Sequence, residues 1–161
     1  MKFFTKKEKK IILLILVCLF TIVGINMKVS LRRGRDNTRK NDLSVLQKAL
    51  DIFISKYQMF PPSVDGKIEG CFGPDTKVDP KTGKLINLHV CEWGKDVFEN
   101  IQTLPKDPNY KKGASYLYLS DTKKYQIYIS LEGKDEAEYT PAIINKNLQC
   151  GTKICNYGRE Y

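Results

Sequence analysis

The sequence has almost no histidine and contains no motif typical of a catalytic or metal site. His89 is the single histidine among 161 residues, and no local motif places a serine or cysteine nucleophile beside it. The chain also lacks C-x-x-C, H-E-x-x-H, G-x-S-x-G and phosphate-loop patterns. Zinc is therefore the weaker explanation for the cysteines. We expect no enzyme activity and no cofactor.

The C-terminal three quarters of the chain lack net charge. The chain has 27 Lys/Arg and 18 Asp/Glu, and residues 1–40 hold 11 of these bases but only two acids, Glu8 and Asp36. Residues 41–161 therefore carry 16 of each sign. A neutral domain gives no electrostatic reason to expect nucleic acid as a partner. The basic segment 1–40 instead predicts a lipid membrane as partner.

One long apolar run is present, IILLILVCLFTIVGINM at residues 11–27. Its length is near the lower limit for crossing a hydrocarbon core of about 30 Å. KKEKK before an apolar run is also typical of a signal peptide, but no A-x-A-like cleavage site follows and Cys18 lacks a lipobox. We predict an uncleaved transmembrane helix at 11–27. A cleaved signal peptide and a buried core helix are the alternatives.

The cysteines outside the apolar run indicate which side of the membrane the domain occupies, since basic residues flank the run at both ends. Cys71, Cys91, Cys150 and Cys155 allow three pairings. We favour Cys71–Cys91 and Cys150–Cys155, because each pair encloses one irregular segment. Disulfides persist in oxidising compartments. We therefore predict a single-pass cell-membrane protein with a basic cytoplasmic N-terminus at 1–10 and an extracytoplasmic C-terminal domain.

An amphipathic helix is predicted at 28–60, following the apolar run without a linker. Leu43, Leu46, Leu50 and Phe53 recur at three- and four-residue spacing, and polar residues occupy the opposite face. We expect this helix to be buried on one side and to end before Pro61-Pro62.

A globular domain is predicted at 61–161. Residues 61–92 are rich in glycine and proline and predict a loop, which a Cys71–Cys91 bond would restrain. A short helix is expected at 95–102. Trp93 is expected to anchor the end of the loop against the core, with ligand binding as the alternative.

The clearest strand signal lies at SYLYLS (115–120) and YQIYISLE (125–132), separated by DTKK. Alternation predicts that Tyr125, Ile127, Ile129 and Leu131 face the core, while the residues between them face solvent. The tyrosines are expected to pack across the strands, with a sugar-binding face as the alternative. A C-terminal loop is predicted after Pro141.

Three acidic residues, Asp135, Glu136 and Glu138, are weak calcium candidates. They lack the residue order and the glycine of an EF-hand loop. We expect them to be solvated, and no metal site is predicted.

Three stretches, in this order, resemble the type IV pilin-like superfamily, in particular the major pseudopilin of type II secretion. RDNTRKNDLSVLQKALDIFISKYQMFP (35–61) is similar to that family's R-D-x-x-R-K-x-D-L-x-x-I-Q-x-A-L run. LPKDP (104–108), then YLY and YQIYISLE, is similar to its P-x-D-P, Y-x-Y and Y-x-L-x-x-x-L-E succession. CGTKICNYG (150–158) is similar to C-terminal loops of some pilin-like proteins.

The resemblance implies an α+β fold, in which a long N-terminal helix, transmembrane and then amphipathic, packs on a small antiparallel sheet with disulfide-tied loops. It also implies a structural role in a type IV pilus or type II secretion filament. The expected partners are pilin-like subunits and an assembly platform.

The family carries a G/A-F-T-L-I-E leader signature, and Phe4, Thr5 and Glu8 keep its F-T-x-x-E frame. The resemblance implies that Glu8 is the assembly glutamate. Phe3, however, occupies the place of the small residue before the peptidase cut, and two lysines replace apolar residues. This departure favours a second hypothesis, a membrane-anchored binding or adhesin module that does not polymerise.

Overall fold

The computed structural model describes residues 5–81 and 85–161 of an α+β chain. It forms two compact units, Met1–Arg35 and Asp36–Tyr161, which we call the arm and the head. Their boundary falls within helix α1, Lys6–Tyr57.

Over residues 11–27 of the arm, α1 carries no charged side chain and is apolar around its whole circumference. The helix is long and apolar enough to cross a membrane by length and composition, and its most apolar window is 0% buried. Phe20 is 74% exposed and Leu14 is 65% exposed. A helix that is apolar on every side is typical of a lipid or core environment.

In the head, the same helix is buried on one side, as its spacing predicts. Leu43, Leu46 and Leu50 are fully buried, and Phe53 is nearly so. The helix ends at Tyr57 rather than at residue 60, because Gln58 adopts a left-handed φ of 58°. The Gln58 amide still donates to the carbonyl of Ile54, which closes the last turn.

Residues 61–92 contain short strands where we expected a loop. The strands are Ser63–Val64 (β1), Lys67–Cys71 (β2), Lys77–Val78 (β3), Leu85–Ile86 (β4) and His89–Val90 (β5). The first sheet has the order β1-β2-β5, and the two further strands β3 and β4 pair with each other. The first hairpin turns at Asp65-Gly66, both at positive φ. Asp-Gly is the favoured pair for such a two-residue turn, and this signal was missed.

The predicted hairpin is present, and a third strand completes its sheet. Strands β6 (Leu117–Ser120) and β7 (Tyr125–Ile129) pair antiparallel, with Tyr118 opposite Ile127. Strand β10 (Tyr157–Glu160) pairs with the other edge of β7. The expectation of a C-terminal loop was therefore wrong over these residues, since main-chain pairing with a distant strand leaves little local signal.

The remaining elements surround this second sheet. A 3-10 turn at Tyr110–Lys112 precedes it, and the four-residue helix α2 (Pro141–Ile144) follows it. Strands β8 (Gln149–Cys150) and β9 (Lys153–Ile154) form a hairpin closed by a disulfide.

The short helix expected at 95–102 is wrong. Phe98 and Ile101 instead exchange both main-chain hydrogen bonds across a tight turn, in which Glu99 has a φ of 47°. The Leu104 amide donates to the carbonyl of Asp96 and holds the returning chain. Phe98 and Leu104 are fully buried, so tertiary packing outweighs the local helical pattern here.

The main core lies between the buried side of α1 and the inner faces of the two three-stranded sheets. Phe53 stacks on Phe98, and Trp93 packs edge-on against Tyr116. Tyr128, expected to face solvent, is only 3% exposed, because Cys150 and Cys155 pack over it. The outer face of β7 is therefore covered by the β8–β9 hairpin.

Candidate functional site

The described structure assigns Thr5 and Glu8 to the start of α1. The Thr5 amide donates to Glu8 Oε2 at 2.6 Å, and the Glu8 amide donates to Thr5 Oγ1 at 3.4 Å. This reciprocal pair is a capping box, which satisfies two amides that the helix leaves free. The hydrogen bonds from Thr5 hold the pKa of the exposed Glu8 carboxyl below its ordinary value. Phe3 and Phe4 lie outside the described residues.

A capping box explains the T-x-x-E spacing without any partner. It also places a carboxylate at the positive end of the helix dipole. Any assembly role of Glu8 is therefore additional to a local structural role that the chain itself supplies.

The most unusual group in the head is a buried ion cluster formed by Asp36, Arg39, Asp107 and Glu132, here called the Arg39 cluster. Arg39 and Asp36 lie on α1, Asp107 follows Leu104 in the connecting segment, and Glu132 lies beyond β7. Arg39 is 1% exposed, Asp36 is 0% exposed and Asp107 is 2% exposed. Long-range contacts thus join three separate segments of the head.

The Arg39 guanidinium donates four hydrogen bonds to the three carboxylates of the cluster. Its Nε and Nη2 donate to the two carboxylate oxygens of Asp107 at 2.7 and 2.9 Å, which is a bidentate pair. Its Nη1 donates to Asp36 at 2.7 Å and to Glu132 at 2.9 Å. Burial alone lowers the pKa of Arg39, but the bonds from these carboxylates outweigh it and raise that pKa above its ordinary value. Arg39 is therefore permanently charged.

The carboxylates of the Arg39 cluster also accept main-chain hydrogen bonds. The amides of Glu132 and Gly133 donate to the two oxygens of Asp36, both at 2.9 Å. The Asn109 amide donates to Asp107 at 2.7 Å. Buried charges are tolerated only when they are paired and hydrogen-bonded. The cluster meets this requirement with groups from two loops, and it therefore holds both loops against α1.

A second polar contact lies one turn further along the helix. The Tyr116 hydroxyl donates to Asp42 Oδ2. Burial raises the pKa of Asp42, and the bond from Tyr116 opposes this rise only in part. Burial and the adjacent carboxylate raise the pKa of Tyr116 as well. The phenol therefore stays protonated and continues to donate.

The calcium candidates do not converge on one point. Glu136 and Glu138 both accept from Lys40 Nζ, at 3.0 and 3.2 Å, and Asp135 is no part of that pair. Within residues 5–81 and 85–161, no group of three or more His, Cys, Asp or Glu side chains is arranged to hold a metal ion. Glu136 and Glu138 instead tie the segment after β7 to α1.

The four head cysteines form two bonds, Cys71–Cys91 and Cys150–Cys155, which are the pairs that we favoured. The first joins β2 to the residue after β5, and the second closes the β8–β9 hairpin. All four cysteines are buried. Cys18 is free and exposed in the arm.

The remaining candidates have structural surroundings. His89 Nε2 lies 3.3 Å from Asp96 Oδ2, which also accepts the Glu92 amide. Trp93 is 7% exposed and belongs to the core, in the anchoring position expected for it.

The sequence contained one unused signal for the Arg39 cluster. Asp36 and Arg39 continue the apolar stripe of Leu43, Leu46 and Leu50 backwards at the same three- and four-residue spacing. A charged pair on the buried face of a helix requires buried partners. Its partners, Asp107 and Glu132, lie 68 and 93 residues from Arg39, and no local pattern connects them.

Comparison with protein-family models, with curated proteins and with solved structures finds no match to this chain.

Proposed function

We propose that this chain is a membrane-anchored, pilin- or pseudopilin-like structural subunit of a type IV pilus or type II secretion-type filament. The observation that carries the proposal is the two-part character of α1. The helix is apolar on all sides over residues 11–27, and it supplies the central core element of a small antiparallel head after residue 36. This is the layout that the resemblance of the sequence implies.

The membrane assignment rests on composition and on redox chemistry. Residues 11–27 contain no charged side chain, and removing their apolar surface from water is favourable. The two disulfides favour an oxidising compartment for the head. The N-terminus is then cytoplasmic, and the head is extracytoplasmic.

Assembly would use the arm, in this proposal. Apolar helices of neighbouring copies pack together, and Glu8 offsets the charged terminal amine of a neighbouring copy in a low-dielectric setting. Extraction from the membrane is driven by a separate cytoplasmic motor.

A second candidate function, an anchored binding or adhesin module that does not polymerise, is favoured by a specific observation. The Glu8 carboxylate is already engaged with the Thr5 amide in the capping box. Phe3 also occupies the position where the resembling family has a small residue before its cleavage site.

Glu8→Gln separates the two functions, because glutamine can replace glutamate in a capping box but cannot offset an amine charge. Under the filament proposal, Glu8→Gln removes the protein from the sheared filament fraction and leaves its membrane level unchanged. Glu8→Ala, which loses both the cap and the charge, is the matched comparison. Normal filament recovery with Glu8→Gln would contradict a charge-dependent assembly role.

Intact mass spectrometry of the membrane-extracted protein gives an independent test. The standard filament pathway predicts a loss of mass equal to Met1–Phe3, with methylation of the new terminal amine. A mass equal to all 161 residues would support the non-polymerising module instead.

A further inference from the structure

A cavity of about 320 Å³ lies beside the Arg39 cluster, entirely within the head. Lys112, Lys153, Asn109 and Ser130 contribute polar groups to its wall, and Glu132 and Arg39 form the part next to the cluster. The groups that face it are thus mainly hydrogen-bond donors.

Main-chain pairing joins the two segments that carry these lysines. Ala114 and Gly151 form an antiparallel bridge, flanked by hydrogen bonds from Thr152 to Gly113 at 2.8 Å and from Ser115 to Cys150 at 3.1 Å. Lys112 is the last residue of the 3-10 turn just before this bridge, and Lys153 is the first residue of β9 just after the hairpin turn at Gly151-Thr152. Both lysines thus adjoin the same two bonded segments and contribute to the wall of the cavity.

The backbones of the two segments approach closely at Gly151. Gly151 has a φ of 69°, and a Cβ there would lie 2.0 Å from the carbonyl oxygen of Gly113. Any other residue at 151 would separate the two segments. The Thr152 hydroxyl also donates to the Lys112 carbonyl at 3.1 Å, and the Cys150–Cys155 bond closes the hairpin that carries Lys153. These contacts therefore hold in place the main chain that carries both lysines.

Neither ammonium group has an ion-pair or hydrogen-bond partner among the described residues. The nearby carboxylate is already engaged, since Glu132 Oε1 accepts from Arg39 at 2.9 Å and from Asn109 at 2.8 Å. Arg39 already donates to Asp36, Asp107 and Glu132. The two ammonium groups and the Ser130 hydroxyl therefore remain as donors for a ligand in the described cavity.

We propose that this cavity binds a phosphate group, free or carried by a larger molecule, between Lys112 and Lys153. Phosphate oxygens accept charge-assisted hydrogen bonds from ammonium and hydroxyl groups. This inference goes beyond the proposed function and does not depend on filament assembly.

The test uses the full chain in a neutral detergent, with inorganic phosphate as the probe. We expect saturable chemical-shift changes at the Asn109 side-chain amide, and a rise in the melting temperature with phosphate but not with chloride at equal ionic strength. Lys112→Gln combined with Lys153→Gln should weaken binding roughly tenfold or more. Lys111→Gln combined with Lys123→Gln, exposed lysines outside the cavity wall, should leave it unchanged.

A second pair of variants keeps the test decisive if the double glutamine variant is unstable. Lys112→Arg combined with Lys153→Arg retains both charges and should retain binding. The lysines also lie near a cluster of one arginine and three carboxylates, whose excess negative charge they can offset. A double glutamine variant that loses stability while phosphate has no effect on the wild type would overturn the proposal and assign the lysines that electrostatic role alone.

The source of the phosphate is distinguished by two further arms. Glycerol phosphate reports a soluble ligand, and phosphatidylcholine vesicles with and without phosphatidylglycerol report a lipid headgroup. Competition of inorganic phosphate with either one identifies the source. If glycerol phosphate and phosphatidylglycerol vesicles bind the double glutamine variant as strongly as the wild type, the phosphate binds elsewhere. That result would contradict the proposed site.

Discussion

Helix α1 contains two regions with the same backbone conformation and opposite relations to their surroundings. Over residues 11–27 it is apolar on every side and its side chains are exposed, whereas from Asp36 onward only one side is apolar and that side is buried. Backbone hydrogen bonding is the same in both regions. The difference teaches that the distribution of side chains around the helix, rather than its local conformation, determines what each region contacts.

The arm and the head also differ in how their charged residues are placed. The arm has basic residues at both ends of an uncharged run, while the head buries Arg39 among three carboxylates. In the arm the basic residues lie on either side of the apolar run. In the head, Arg39 binds carboxylates from separate segments and holds those segments together.

The largest expected effect comes from Arg39→Met in the head, compared with Lys28→Met in the arm. Removing Arg39 leaves Asp36 and Asp107 buried without their cation, which should lower the free energy of unfolding of the head by about 3–5 kcal/mol. Removing the charge of the exposed Lys28 should alter it by less than about 0.5 kcal/mol. Urea unfolding followed by Trp93 fluorescence measures both. Equal effects would remove the proposed contrast between the two regions.

A slightly smaller difference in head stability is expected when a leucine is changed to alanine in each region. Leu46→Ala deletes a fully buried side chain and should cost the head about 3 kcal/mol. Leu16→Ala, in the apolar run, should leave head unfolding unchanged and instead weaken partition of the chain into membranes. Unfolding in detergent and flotation with vesicles separate the two outcomes. A loss of head stability with Leu16→Ala would show that residues 11–27 belong to a soluble core.

The smallest effect concerns pH. Because burial raises the pKa of Asp42 in the folded state, this residue contributes stability below its unfolded pKa of about 4, and that contribution is lost as pH rises through the folded pKa. Asp42→Asn does not titrate, so its stability relative to the wild type should increase as pH rises from about 3 to 7. The exposed Asp51→Asn is the control on the same helix. Parallel pH profiles for wild type and Asp42→Asn would show that Asp42 titrates normally.

Much of the fold could be predicted where the pattern is local and periodic. The buried stripe of α1 and the hairpin of β6 and β7 follow from spacings of three, four and two residues. The pairs Cys71–Cys91 and Cys150–Cys155 were favoured because each encloses a single segment. The short helix predicted at 95–102 is absent, because tertiary packing outweighs the local pattern there. Phe98 and Leu104 gain more free energy by burial in a turn than these residues would gain by forming a helix.

The candidate sites were less predictable than the fold. Thr5 and Glu8 were interpreted through a family resemblance, although their spacing alone predicts the capping box that the structure contains. Asp135, Glu136 and Glu138 were considered as a calcium group, yet the binding partner of two of them is Lys40 on α1. Acidic residues that are close in the sequence therefore do not necessarily form one metal site.

Local chemistry in the chain is sufficient to specify the apolar run, the amphipathic face of α1, the central hairpin and the charge imbalance between arm and head. Each depends on neighbours within a few residues, where the geometry of a helix or strand is known in advance. Folding in three dimensions was needed to join Arg39 to Asp107 and Glu132, to bring β10 beside β7, and to place Lys112 and Lys153 on the wall of one cavity. These contacts connect distant segments, and their partners are selected by burial and charge across the whole head rather than by spacing along the chain.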